Sequence, residues 1–350
     1  MIALDALEER TGSNWAHIHA ARKATAEMRA RLEEGLTGFS TQDTSIVVVG
    51  SLARQEFTSG SDVDWTLLLD GLSDPNHIDV ANELKKKIDS LEGNAPGQEG
   101  TFGTLSSSHD LIHYIGGQGD TNANTTRRIL LLLESVSIGR GEAHQRALKN
   151  VLSRYLEEDR GLWYGSSPYK IPRFLFNDVS RYWRTMAVDF AYKQRTRPGG
   201  DFALKNFKLR MSRKLIYIAG MIACFECHLG FNSEEERNEF YKGHQVQPVI
   251  DLVHSVLSKP PLEIVASALL KDASLDHSSK QFFDAYDEFL AMLSDKEIRE
   301  HLKKLPVSQL DDSIAKRYRT VAHTSMDAVR AIFLNRSNKL GELTIEYGVF

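Results

Sequence analysis

Two carboxylates one residue apart, Asp62 and Asp64, open an apolar run, Trp65-Thr66-Leu67-Leu68-Leu69. Upstream, across a spacer of ten residues, Gly50-Ser51 ends a β-branched run, Ile46-Val47-Val48-Val49. On a strand, residues two apart share a face, so Asp62 and Asp64 point one way while Val63 and Trp65 turn to the core. Like charges so placed repel unless a cation sits between them, and hard oxygen donors of this kind suit Mg²⁺ or Mn²⁺. Gly50 lets backbone approach a ligand closely, and the Ser51 hydroxyl and neighbouring amides can donate to phosphate oxygens. The chemistry on offer is phosphate held beside a divalent metal, on a frame of strand, loop and strand.

Hydrophobic run, Gly-Ser, ten-residue spacer and Asp-Val-Asp, with Ala53-Arg54, Glu56 and Ser61 between, resemble the signature of the DNA polymerase β-like nucleotidyltransferase superfamily. The resemblance implies a Mg²⁺- or Mn²⁺-dependent enzyme that moves a nucleoside monophosphate from an NTP to an acceptor hydroxyl and releases pyrophosphate. It implies two metal ions about 3.5–4 Å apart on Asp62 and Asp64, with Gly50, Ser51 and Arg54 at the nucleotide's phosphates. A third carboxylate on a later strand is also implied; Asp110 is the first choice, Glu134 the second, and Glu99 a further candidate. The Gly-Ser-x-Ala-Arg-x-Glu version looks most like the PII uridylyltransferase and glutamine synthetase adenylyltransferase type, which modify proteins. A protein acceptor is therefore favoured. A tRNA end, a small molecule or another nucleotide, as in cyclic-oligonucleotide synthases, are the alternatives within enzymes. Outside them stands a catalytically silent nucleotide- or RNA-binding module, against which the intact, self-repelling Asp-x-Asp argues.

These residues need a frame, and 350 residues suffice for two domains with a sizeable core. A hydrophobic content of 41% and a charged content of 26% are ordinary globular values. The formal net charge of −4 gives no whole-chain argument for nucleic acid. The first residues lack a signal peptide's apolar core, and no apolar run approaches the ~18–20 residues that span a bilayer, so a cytoplasmic location without membrane contact is expected. The expected class is α+β. A polymerase β-like core of mixed sheet and helices occupies 1–160, with an N-terminal helix, and a mostly helical domain over 161–350 closes the nucleotide cleft.

Along the chain, the first forty residues read as helix, with Ser13 as N-cap before Trp15, Ile18, Ala21, Ala24, Met28 and Leu32. A strand over 46–50, a helix over 78–91 and a turn-rich loop over 93–104 running into a short strand follow. His109 and His113 share a helix face, yet Asp110 stands where a zincin carries its Glu base and no third ligand is evident. The apolar run within 125–134 fits a buried strand or a helix start. A helix over 142–158 closes the first domain and 161–170 is the linker. Helices over 174–193 and 202–229 flank a turn at 197–200, more helices fill 232–334, and 340–350 is a final strand or docked tail. Cys224-Phe-Glu-Cys227-His228 spells a haem-attachment pattern, but it closes an apolar segment and reads as buried helix cysteines.

Between residues 170 and 214 stand twelve Lys or Arg against three Asp, within a chain of net charge −4. The resemblance implies a helical domain opposite the core, from which Arg181, Arg184, Arg210 and Lys214, interleaved with Tyr182, Trp183 and Phe207, are expected to grip the triphosphate; a surface basic helix and an RNA or acidic-protein acceptor surface are the alternatives.

Overall fold

Each apolar run of the motif forms a strand. In the computed structural model, which describes residues 2–92, 102–165, 167–196, 201–305 and 312–348, β1 (Thr44–Val49) and β2 (Asp64–Leu69) pair antiparallel, with Val49 opposite Asp64. Two short strands complete a mixed sheet: β3 (Leu105–Ser107) runs parallel to β2 and β4 (Ser135–Ile138) antiparallel to β1, in the order β3-β2-β1-β4. The period-two pattern sorts the side chains. Ile46, Val48, Val63, Trp65 and Leu67 join one core, with Leu32 of α2 (Ala16–Gly35) and Leu84 of α3 (Asn76–Glu92). Val47, Val49 and Leu68 face the other way, into the larger helical core.

The rest of the described chain is almost all helix. α1 (Ala3–Thr11) precedes α2; α4 (Ser108–His113) and α5 (Asn122–Leu133) lie between β3 and β4. After β4 come α6 (Glu142–Glu157), α7 (Arg160–Tyr164), α8 (Arg173–Thr196), α9 (Phe202–Lys208) and α10 (Lys214–Leu229). Then follow α11 (Glu234–Lys242), α12 (Val246–Leu257), α13 (Pro261–Leu269), α14 (Asp276–Ser294), α15 (Lys296–Lys304), α16 (Ser313–Phe333) and α17 (Lys339–Tyr347). The fold is thus α+β, a small mixed sheet among helices. One hydrophobic cluster runs from Leu4 to Leu343. Among the described residues no single helix is long and apolar enough to cross a membrane.

Several segments depart from the sequence expectation. The N-terminal helix is two helices, because Gly12 adopts a left-handed φ of 59° and ends α1. Trp15, not Ser13, sits at the start of α2, and the Glu8 carboxylate accepts its N–H at 2.5 Å. The 125–134 run lies in helix α5, whose start is capped by the Thr121 side chain; the strand comes just after it, as β4. Residues 161–164 of the expected linker are helical, with Leu162 and Trp163 buried. The final stretch is helix α17, capped by Asn338, rather than a strand. Cys224 and Cys227 are buried in α10 as expected. The turn at 197–200 and Glu99 lie outside the described residues.

Two sets of contacts tie distant helices together. Arg128, fully buried, donates to Asp120, to Asp178 of α8 and to the Tyr155 hydroxyl of α6, all at 2.8 Å, and so ties three helices together. The N-terminal helices clasp the C-terminal ones: the N–H groups of Ala3 and Leu4 donate to Glu263 of α13, Arg10 pairs with Asp276 at 2.5 Å, and Trp15 stacks on Phe283 of α14.

Candidate active site

Between β1 and β2 the chain folds back on itself in tight turns. The Arg54 N–H donates to the Gly50 carbonyl at 3.0 Å and the Glu56 N–H to the Ser51 carbonyl at 2.8 Å. Arg29 of α2 reaches under the loop to the carbonyls of Leu52 and Ala53, and Thr25 accepts the Phe57 N–H. Gly50 has φ 71°, which favours glycine, and a Cβ there would lie 3.0 Å from Asp64 Oδ2, so any larger residue would also press on that carboxylate.

This loop brings Gly50, Ser51, Asp62 and Asp64 to one cleft of about 90 Å³, with Lys208, Ser212, Arg213 and Arg299 opposite them. Val63 and Trp65 are buried behind, as the alternation requires. The opposing side chains come from the end of α9, a π-helical turn over Leu209–Arg213, and α15. Such turns recur at functional sites. Arg299, almost buried, lies against Gly60, where an added Cβ would be 2.8 Å from its guanidinium.

Among the described residues no hydrogen bond or ion pair engages the side chains of Asp62 or Asp64, and none engages those of Lys208 or Arg299. Burial raises the Asp64 pKa: desolvation is the largest cause, Arg213 opposes it, Glu134 and Asp62 add to it, and Arg54 opposes it more weakly. Burial, with Arg299, Arg213 and Arg54 nearby, lowers Lys208 to about 8. Two open carboxylates therefore face two open cations across a narrow gap.

Glu134 belongs to this end of the sheet. It caps α5, one residue before the Ser135 that pairs with Val49, and its carboxylate accepts from Arg54 and, at 3.1 Å, from Arg213. Asp110 does not. It follows β3, whose Ser107 pairs with Leu69 at the far end of β2, about 17 Å from Asp64 at ~3.3 Å per residue. There its exposed carboxylate sits 3.5 Å from His109 Nδ1. Of the two leading candidates for the third carboxylate, only the second choice lies at this end of the sheet, where it holds Arg54 and Arg213 of the cleft wall without lining the cleft itself.

The four expected helical cations lie elsewhere. Arg181 pairs with Asp120 at 3.6 Å and donates to Asn122 at 3.0 Å. Arg184 borders surface hollows with Asn177 and Ser180. Lys214 is buried, its Nζ 3.4 Å from the Met326 sulfur and over the Trp183 ring, and Arg210 lies near it without lining the cleft. Arg54 does border the cleft, as expected, and there it also braces the loop: Nε donates to Glu56 at 2.9 Å and Nη1 to Glu134. No hydrogen bond among the described residues engages its Nη2. Lys208 and Arg213 were within the basic segment, three and eight residues beyond Lys205. Arg299, far away in sequence, had no local signal.

No protein-family model matches this chain, and no curated protein matches it in sequence.

Proposed function

We propose that this protein is a divalent-metal-dependent nucleotidyltransferase that moves a nucleoside monophosphate from an NTP to an acceptor hydroxyl. The observation that carries the reading is the cleft itself, where the open carboxylates Asp62 and Asp64 face the open cations Lys208 and Arg299 beside Gly50 and Ser51. Likeness to the protein-modifying branch supports a protein side chain as acceptor.

The donor set fits Mg²⁺ or Mn²⁺: two carboxylates to which no side chain or backbone donates among the described residues, one with proton affinity raised chiefly by burial. Asp62 and Asp64 would hold the metal, and Glu134 stands behind them. When bound, the metal supplies charge neutralisation at the leaving and attacking oxygens. Ser51 Oγ and the turn amides after Gly50 donate to phosphate oxygens, and Lys208 and Arg299 draw the polyphosphate from the opposite wall. Positioning and electrostatics of this kind account for most of the catalysis in phosphoryl transfer.

A cleft of about 90 Å³ admits phosphate and metal but not a whole nucleotide, for which pockets run to roughly 300 Å³ and more. Ribose and base therefore extend outside this space, or α15 with Arg299 withdraws as the nucleotide enters.

Incubation with each α-labelled NTP and Mg²⁺, alone and with cell extract split into protein, RNA and small-molecule fractions, tests the reading. Label is expected in the protein fraction, dependent on metal. Label in another fraction reassigns the acceptor. No label in any fraction, from protein that still binds NTP, removes the transferase reading. Lys208→Ala is expected to raise KM for the NTP about 10- to 100-fold, the worth of a hydrogen bond to a charged group, with a smaller change in kcat. An unchanged KM would take Lys208 out of the phosphate site.

A further inference from the structure

Where α6 meets the sheet edge, two histidines face a cavity that has no part in the cleft just described. His144 is 2% exposed, its backbone N–H donates to Ser45 Oγ of β1 at 3.2 Å, and its Nε2 lies 2.7 Å from Ser135 Oγ of β4. Ser135 has a single hydroxyl proton, which it donates to the Leu131 carbonyl at 2.5 Å. The contact with His144 must then be a donation from Nε2–H to the serine oxygen, which leaves the lone pair on Nδ1. That Nδ1 is buried and has no partner among the described residues.

His254, in the last turn of α12, borders the same cavity of about 80 Å³. Its Nε2 is likewise buried without a partner. Orphaned buried polar atoms are rare in folded proteins, and two on one cavity point to a shared guest.

We propose that His144 Nδ1 and His254 Nε2 bind a divalent transition-metal ion of the Zn²⁺ class, clasping α12 to the sheet edge at β4. Imidazole nitrogens select Zn²⁺, Co²⁺, Ni²⁺ or Cu²⁺ over Mg²⁺. The Nε2–H to Ser135 bond is the second interaction that a metal-bound histidine commonly makes, since it fixes the tautomer and aims the ring. Burial, aided by His254, lowers the His144 pKa to about 4, so the ring is an uncharged ligand at neutral pH. The cavity has room for an ion and water to complete its coordination, water occupying about 30 Å³. His254 is only partly buried, which gives the ion a way in.

The test uses the full chain carrying Asp62→Asn and Asp64→Asn, so that the acidic pair takes no metal. Zn²⁺ titration by calorimetry, thermal unfolding, and the absorption spectrum with Co²⁺ are the readouts. One Zn²⁺ per chain is expected, with a raised Tm and a nitrogen-ligated Co²⁺ spectrum. His254→Gln, at a partly exposed position that leaves the core intact, should abolish all three. Ser135→Ala should weaken binding roughly 10-fold or more by freeing the tautomer. No Zn²⁺-dependent stabilisation, or binding that survives His254→Gln, overturns the proposal and leaves a water as the guest. Binding lost instead with His19→Gln assigns the ion to the surface group Asp5, Glu8 and His19, and also overturns it. None of these outcomes depends on nucleotidyl transfer, so the two readings fail separately.

Discussion

Asp64→Asn is expected to abolish nucleotidyl transfer while raising the melting temperature of the metal-free protein at pH 7. Desolvation is the main cause that raises the Asp64 pKa; Arg213 and Arg54 oppose it while Glu134 and Asp62 add to it, and the net is that the folded chain binds this proton more tightly than the unfolded chain does. With a raised folded pKa, its contribution to stability is fully present below the unfolded pKa and is lost as pH rises through the folded one. At neutral pH the ionised carboxylate opposes folding, and asparagine removes that penalty. Unfolding followed from pH 4 to pH 8 without metal should show the variant's advantage growing with pH. Mg²⁺ should raise the Tm of the native sequence more than that of the variant. Activity should fall by about 10³-fold or more, since a metal's charge stabilisation is worth several kcal/mol. A variant that keeps transfer within tenfold of the native level would remove Asp64 from the site; one that melts lower would remove the desolvation argument.

Arg54→Met is expected to be the costliest substitution for stability in this region. Arg54, Glu56 and Glu134 are 6%, 3% and 3% exposed. Arg54 serves both carboxylates; the remaining oxygens accept from the Tyr286 hydroxyl at 2.7 Å and from Arg213 at 3.1 Å. Removing the shared guanidinium leaves two buried carboxylates each short of a donor, and a broken buried pair costs about 3–5 kcal/mol. Denaturant unfolding should register that loss, and Glu134→Gln in the same chain should recover part of it by removing one charge. A loss below about 1 kcal/mol would mean that the network relaxes freely and does not brace the loop.

The motif was the legible part of this chain, because its information is local. Alternation alone places Val63 and Trp65 inside and Asp62 and Asp64 outside, and the structure sets them beside Gly50 and Ser51. The third carboxylate was not legible: Asp110 and Glu134 follow β3 and α5, and which end of the sheet each reaches depends on strand register. The run ending at Leu133 was ambiguous because a helix buried on all sides loses its period. Arg181 and Arg184 lie away from the cleft because tertiary packing turns their part of α8 toward Asp120, Asn122 and surface hollows, and for Arg210 and Lys214 face counting presumed a regular α-helix. A π-helical turn at Leu209–Arg213 shifts that register, so Lys208 and Arg213 meet the cleft where Arg210 and Lys214 do not. Arg299 arrives by tertiary packing, which no local window reveals.

The clasp between the chain's first helices and its later ones has a consequence for synthesis. Trp15 and the N–H groups of Ala3 and Leu4 find their partners only when α13 and α14 have left the ribosome, about 260 residues later. At about 5–20 residues per second that is a wait of roughly 15–50 s. Throughout it the nascent sheet has Asp62 and Asp64 but neither Arg299 nor the Tyr286 that steadies Glu56. The wall of the cleft opposite Asp62 and Asp64 is thus completed late, and an interrupted translation product carries only one side of it.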